Sequence, residues 1–342
     1  MASNINVTVS QYLEFCESSN INLINLLSKQ FEDRHRYKGH ARNQNPVATT
    51  WLISFEHILR YNPQAADYLK FVCFLAEKDI PLSLLPVASK MQMAEAIGLL
   101  SAYAFILERD TPGSFDIHRL IRLVMRSWLQ ENGEWEKWTV NVVQRLIEEY
   151  PSPRHENRKM WTKYLPHGQA VLEVDGTVNT EEKSSLLFNI AESYSILGKY
   201  NNAEQLYRQT LELREGVLGR EHPSTLASMN NLANVLGSQG KYKEAETMHR
   251  QTLELKEGVL GREHPSTLDS MNNLALVLGS QGKYKEAETM HRQTLELKEG
   301  VLGREHLSTL DSMNNLAEVL RSQGKYEEAE TILASHHTVT SD

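Results

Sequence analysis

The feature that most constrains this chain is a segment written almost twice. Ser224 to Pro265 and Ser266 to Leu307 are 42 residues each, and they differ only at Ala227/Asp269, Asn234/Leu276 and Pro265/Leu307. A period in the range of about 20 to 50 residues implies stacked repeats, each covering its neighbour's apolar face. Within one period, Leu226, Met229, Leu232, Ala233 and Leu236 fall at helical spacing, as do Tyr242, Ala245, Met248, Leu253 and Leu260. Each repeat is therefore a pair of helices. Gly240, in Ser238-Gln239-Gly240-Lys241, is free to take the positive φ of a tight turn between them. Gly261 to Pro265 ends the second helix, and Pro265 with Ser266-Thr267 starts the next. Projection by 42 residues finds an older copy at Asn189, Ala191, Gly198, Tyr200 and Ala203, and a last one at Ala317, Gly324, Tyr326 and Ala329. About four helical hairpins are expected over 184–342, the last cut short at Ser335-His336-His337.

Charge and cysteine content narrow the function classes. With 36 Lys and Arg against 44 Asp and Glu, the net charge of -8 leaves no basic footprint for phosphates, so no nucleic-acid partner is expected. Two cysteines, Cys16 and Cys73, are too few for a disulfide framework or a thiolate zinc site. Met1 to Glu17 lacks a basic segment followed by an apolar one, and the most apolar run, Leu99 to Leu107, is half the length of a membrane helix. These readings point to a cytoplasmic chain with no membrane partner. Asn6-Val7-Thr8 matches a glycosylation acceptor by chance in such a chain.

Ahead of the repeats the pattern changes twice. Residues 1–45 are polar, with one amphipathic helix expected at Asn22 to Phe31 and a basic, solvated linker at Arg34 to Arg42. Over 46–133, Thr49-Thr50 can cap a helix through Trp51, Phe55, Ile58 and Leu59. Further helices fit Pro63 to Ala76, Leu82 to Ala88, Met91 to Leu100 and Leu120 to Leu129, with Ile80-Pro81 as a break. Between the last two lies the β signal, Tyr103 to Glu108 and Phe115 to His118 around a turn at 110–113. Helices, then a hairpin, then a helix is the order of a winged-helix unit. Its would-be recognition segment, Ser89 to Leu100, offers only Lys90 to a phosphate, which argues against DNA binding. Residues 134–183 read as a helical bridge, Glu134 to Tyr150 and Met160 to Val174. The fold class expected is mainly α: a winged-helix-like domain with one β-hairpin, followed by an α-solenoid.

The repeats resemble the tetratricopeptide repeat. Met229-x₂-Leu232-Ala233-x₂-Leu236 and Ala245-x₃-His249 follow its pattern, as do Ala191-x₂-Tyr194 and Ala203-x₃-Tyr207 in the older copy. The period of 42 and the joint Leu-Gly-Arg-Glu-His-Pro are similar to the longer repeat of kinesin light chains. That resemblance implies that the first helices line a concave groove whose Asn residues hold the main chain of a bound peptide. It makes Asn189, Asn230, Asn231, Asn234, Asn272, Asn273, Asn314 and Asn315 the peptide-binding candidates. An amide both donates and accepts, which suits peptide groups; the alternative is that these Asn satisfy neighbouring helix ends. His222, His264 and His306 recur at the joints, where packing explains them better than a shared metal, and no metal is expected. Gly237-x-x-Gly240-Lys241 lacks the spacing and the Ser or Thr of a phosphate loop.

The front half resembles the C-terminal part of an NB-ARC signalling ATPase, in particular fungal NOD-like receptors that carry tetratricopeptide arrays. The resemblance rests on Pro46 to Phe55, Ile80 to Leu85, Ser114 to Leu120 and Trp161-x₃-Leu165-Pro166-His167. In that family the His of a Met-His-Asp motif contacts the ADP β-phosphate. His118 takes that place, but the motif reads Ile117-His118-Arg119, with Arg119 where the acidic residue would be. No G-x-x-x-x-G-K-[ST] occurs, so no cofactor and no intrinsic NTPase activity are expected.

The leading expectation is a non-enzymatic interaction protein, akin to the regulatory and sensing half of an NB-ARC receptor, that takes protein or peptide in the groove of its repeats. A full-length NB-ARC receptor is a candidate partner. The alternative is a free-standing adaptor of kinesin-light-chain type, which lacks an N-terminal coiled coil here. A hydrolase using His118 with Asp116 has no nucleophile motif or oxyanion loop. Self-association through an open stacking face near Leu320 and Ile332 is a further expectation.

Overall fold

The computed structural model describes residues 46–110, 113–174 and 180–339. The expected helix at Asn22 to Phe31 and the basic stretch at Arg34 to Arg42 lie outside them. The protein is mainly helical, with a small antiparallel sheet ahead of stacked helical hairpins. It divides into two compact units, one ending at Glu182 and one beginning at Lys183, with residues 153–156 grouped with the second.

In the first unit, α1 (Pro46–Tyr61) and α2 (Pro63–Val72) lead to β1 (Ile80–Pro81) and a single 3₁₀ turn, Leu82–Leu84. Then come α3 (Lys90–Ala102), β2 (Ile106–Glu108), β3 (Ser114–Ile117), α4 (Arg119–Glu131), α5 (Trp135–Glu149) and α6 (Arg158–Leu172). α1 begins at Pro46, so Thr49-Thr50 stands within the helix and does not cap it. Asn62 caps α2: its Oδ1 accepts from the Ala65 amide at 3.0 Å, with Pro63 in the first turn, where no donor is missed. The α3 start is a capping box, in which Ser89 and Gln92 satisfy each other's backbone amides.

Ile80-Pro81 breaks the helix as expected, but it is also a third strand. The sheet order is β1-β3-β2, with Ile80 opposite Phe115 and Pro81 opposite Ser114, so the proline occupies an edge where its missing donor costs no ladder bond. Ala65, Ala66, Tyr68, Leu69, Phe71 and Val72 are all buried, which makes α2 the central helix of the unit. Its exposed carbonyl end is closed by α4. Arg122 and Arg126, one turn apart, donate to Cys73 O at 3.0 and 2.8 Å, and Arg126 also reaches Phe74 O. These cations complement the negative end of the helix dipole. Lys70 is almost fully buried between the Trp128 and Trp138 rings and pairs with Glu134 at 2.8 Å. α6 is tied to the turn before β1, because the buried His167 meets Asp79 O through Nε2 at 3.1 Å. Burial pushes His167 down to about 4, so it works as a neutral ring.

The second unit comprises α7 (Thr180–Ile196), α8 (Tyr200–Leu218), α9 (Pro223–Ser238), α10 (Tyr242–Leu260), α11 (Pro265–Ser280), α12 (Tyr284–Leu302), α13 (Leu307–Ser322) and α14 (Tyr326–Val339). Each hairpin turns on a glycine at positive φ, +78° at Gly240 and +79° at Gly282, where an L side chain is strained. The turn is closed by Lys241 N donating to Leu236 O at 2.9 Å. Ala233 and Ala245 are fully covered, which lets the paired helices approach. Successive repeats meet where a side chain on Gly237 would lie 3.6 Å from Val277, and one on Gly279 3.7 Å from Val319.

Candidate functional site

Consecutive first helices of the repeats lie side by side, and their uncovered residues form one stripe per helix. On α9 the stripe is Ala227, Asn230, Asn231 and Asn234. On α11 it is Asp269, Asn272, Asn273 and Leu276, and on α13 it is Asp311, Asn314, Asn315 and Glu318. The spacing of three, four and seven residues leaves one face of each helix open, while Leu226, Met229, Leu232, Ala233 and Leu236 bury the other.

The expected Asn candidates reach one another across repeats. Asn273 Nδ2 donates to Asn230 Oδ1 at 3.3 Å, and Asn315 Nδ2 donates to Asn272 Oδ1 at 3.2 Å. Asn230 Oδ1 also accepts from Ser270 Oγ at 3.4 Å. The rung stops at α7, because Phe188 stands one period before Asn230. Asn231 donates instead to Tyr207 Oη at 3.4 Å. Asn189 is half-buried and its carbonyl accepts from Ser193 Oγ, while Asn234 and Asn314 are exposed. Each rung therefore uses one donor and one acceptor. Asn230 Nδ2 and Asn273 Oδ1 have no partner among the described residues, nor do Asn272 Nδ2 and Asn315 Oδ1.

Beneath this face lies a row of buried cations that periodicity did not single out. Arg214, Lys256 and Lys298 stand one period apart and are 7%, 5% and 2% exposed. Lys256 Nζ donates to Ser266 O, Ser266 Oγ and Ser270 Oγ, and Arg214 donates to Ser224 O and Ser228 Oγ. Lys298 donates to Ser308 O and Ser308 Oγ and also to Asp269 Oδ1 at 3.0 Å. One of the three differences between the near-identical copies thus has an internal role, since Asp269 is the counter-ion of Lys298 and Ala227 supplies none to Lys256. A charged residue recurring inside an amphipathic repeat was the available signal.

A second row stitches the repeats together. Glu246 accepts from Arg250 of its own helix and from Lys283 and Gln281 of the next repeat. Glu288 does the same with Arg292, Lys325 and Gln323. Hydrogen bonds, from Lys283 above all, hold the Glu246 carboxyl at about 2; at Glu288 burial is the largest single influence and opposes this, but Lys325, Gln323 and Arg292 together outweigh it and bring the carboxyl to the same value. His249 and His291 are fully buried, and neither ring nitrogen has a partner among the described residues. Burial, and then the neighbouring Lys256 or Lys298, pushes both down to about 4.

The joint histidines are helix caps. His222, His264 and His306 accept through Nδ1 from the amides of Ser224, Ser266 and Ser308 at 3.1 to 3.2 Å. His118 does the same for α4, accepting from Leu120 N at 3.2 Å. Asp116 binds Asp79 N, Lys78 and Arg109. No group of three or more metal-binding side chains occurs among the described residues, and none of their helices is long and apolar enough to cross a membrane. Leu320 is fully covered, packed with Leu316, Ala317, Ala329, Ile332 and Leu333.

Three overlapping stretches, 182–258, 239–300 and 266–339, match the tetratricopeptide repeat family. Residues 182–339 are tetratricopeptide repeats. A nucleotide-binding leucine-rich repeat (NLR)-like protein of Hyaloscypha variabilis is 48% identical over 229 residues, which is 66% of this chain and 23% of that protein. The chain thus spans less than a quarter of the relative's length. Among solved structures, kinesin-light-chain-type, nearly identical TPR-like repeats from Podospora anserina align with a TM-score of 0.44 at 24% identity, over 63% of this chain and 91% of that one. The BtubC protein of P. vanneervenii aligns with a TM-score of 0.45 at 14% identity, over 86% and 89%. Tetratricopeptide repeats generally mediate protein binding.

Proposed function

We propose that the tetratricopeptide unit binds an extended peptide segment of a protein partner across its first-helix face, with the Asn rungs as the main-chain contacts. The observation that carries this reading is the unused half of each rung. A side-chain amide donor and acceptor, Asn230 Nδ2 and Asn273 Oδ1, stand together and repeat at Asn272 and Asn315, matching the alternating carbonyl and amide groups of a peptide. Neighbouring first helices are about 8 to 10 Å apart, so successive rungs can grip one strand.

An array of overlapping peptides displayed to the full chain tests this. Asn230→Ala with Asn272→Ala is expected to abolish binding, with melting temperature nearly unchanged because the rungs are solvent-accessible. Undiminished binding by that variant would sink the proposal. The likeness to an NLR-like protein supports a wider role as the regulatory and sensing part of such a receptor, with a nucleotide-binding relative as a partner. In that role this chain turns over no ATP itself. Measurable hydrolysis by the full chain would overturn that statement.

A further inference from the structure

The three first helices α9, α11 and α13 are close copies, so the places where they differ are informative. They differ at four positions: 223/265/307 at the start, 227/269/311, 234/276/318 and 237/279/321. Only one position carries a different residue in all three, namely Asn234, Leu276 and Glu318. All three are exposed, and they stand side by side in the stripe, one turn beyond the Asn rungs. Leu276 is 41% exposed, although its helix has an otherwise polar open face.

The neighbouring differences act elsewhere. Asp269 is held by Lys298. Arg321 replaces the glycines whose Cβ positions face Val277 and Val319, which puts it on the stacking edge. The charges left over on the stripe are Asp311 and Glu318. They lie two turns apart on α13, exposed, with no ion-pair partner among the described residues. The face therefore grades from neutral amide at α9, through an apolar contact at α11, to two uncompensated carboxylates at α13.

We infer that the row Asn234, Leu276 and Glu318 selects the sequence of the bound segment. The segment places an apolar side chain on Leu276 and a Lys or Arg side chain against Glu318 and Asp311. With about 8 to 10 Å between neighbouring helices, and about 3.1 to 3.4 Å per residue of extended chain, those two side chains are two to four residues apart. This rests on the peptide-binding reading above and adds the chemistry of the partner. Duplication here preserved the buried scaffold and gave each repeat a different residue at one exposed position.

The test uses the full chain and arrayed extended peptides that carry one Leu, with Lys, Glu or Ser placed two, three or four residues to either side. Lys peptides are expected to bind about fivefold tighter than their Glu counterparts, the scale of an exposed charge contact. Glu318→Lys, which leaves Asp311 as the one carboxylate, should erase that ranking, and Leu276→Asn should remove the preference for Leu while leaving the preference for Lys. Both substitutions are at exposed positions, and unchanged melting verifies the fold. Binding in which Lys and Glu peptides differ by less than about twofold, or a ranking indifferent to Glu318→Lys, overturns the selectivity row and leaves the Asn rungs standing. If no arrayed peptide binds, the peptide-binding reading fails and this inference falls with it.

Discussion

In the sheet-bearing unit, Lys70 between two tryptophans has no counterpart among the described residues. In the repeat unit, Glu246 has two, Glu204 and Glu288, each gripping the Lys of the next repeat. One unit is held by contacts that occur once and join residues far apart in sequence. The other is held by a short list of contacts reused at intervals of 42 residues. A stack of repeats is stabilised mainly between nearest neighbours, so damage to one joint is local, whereas damage to a single central helix spreads through its unit.

The largest expected effect lies in acid. An unfolded His takes its proton near 6.5, while His249 and His291 resist it until about 4. Between those values the unfolded chain binds more protons, so stability of the repeat unit falls as pH falls through that window. The loss is on the order of 3 kcal/mol per ring by pH 4. Leu333 occupies the equivalent place in the last repeat, so His249→Leu with His291→Leu should flatten the pH dependence of melting between pH 6.5 and 4. A slope unchanged in the double variant would place the acid response elsewhere.

Next is Lys70→Ala, which strands Glu134 and empties the space between Trp128 and Trp138. It is expected to cost about 3 kcal/mol and to shift the urea midpoint of the whole sheet-bearing unit, read by tryptophan fluorescence. Glu246→Gln should cost roughly 1 to 2 kcal/mol. Because its folded pKa is depressed, the Glu246 contribution is present above 4.5 and lost as pH falls toward about 2. Amide exchange should speed up around α10 and α11 only; acceleration throughout the repeats would break the nearest-neighbour picture. The smallest change is Gly240→Ala at positive φ with open space around it, about 1 kcal/mol, and Gly282→Ala should match it in thermal melts. Unequal costs would show that the two copies are not mechanically equivalent.

Much of the fold was legible because its signals are local. The hairpin turns at Gly240 and Gly282, the helix starts at Pro223 and Pro265, and the apolar periodicity of α9 and α11 all depend on residues within one or two turns. Ile80-Pro81 shows the limit. Its role as a strand depends on Ser114 and Phe115, more than thirty residues away, which no local pattern encodes. The Asn pairs were visible as candidates, but their arrangement was not. Asn230 and Asn273 look alike in sequence, yet one accepts and the other donates because stacking offsets their helices. The difference Ala227/Asp269 is plain in the sequence, but the pairing of Asp269 with Lys298 within its own repeat is not.

By itself the sequence determined a stack of paired helices with period 42, since helix propensity, turn chemistry and repetition act over short range. Only the tertiary structure decided which side chains that stacking brings together: Lys256 on serine oxygens, His249 without a partner among the described residues, and Asn rungs with half their hydrogen-bonding capacity unused there. Those outcomes depend on groups ten to more than forty residues apart, and Lys256 and His249 lie away from water, where an unpaired polar atom or charge carries its full cost.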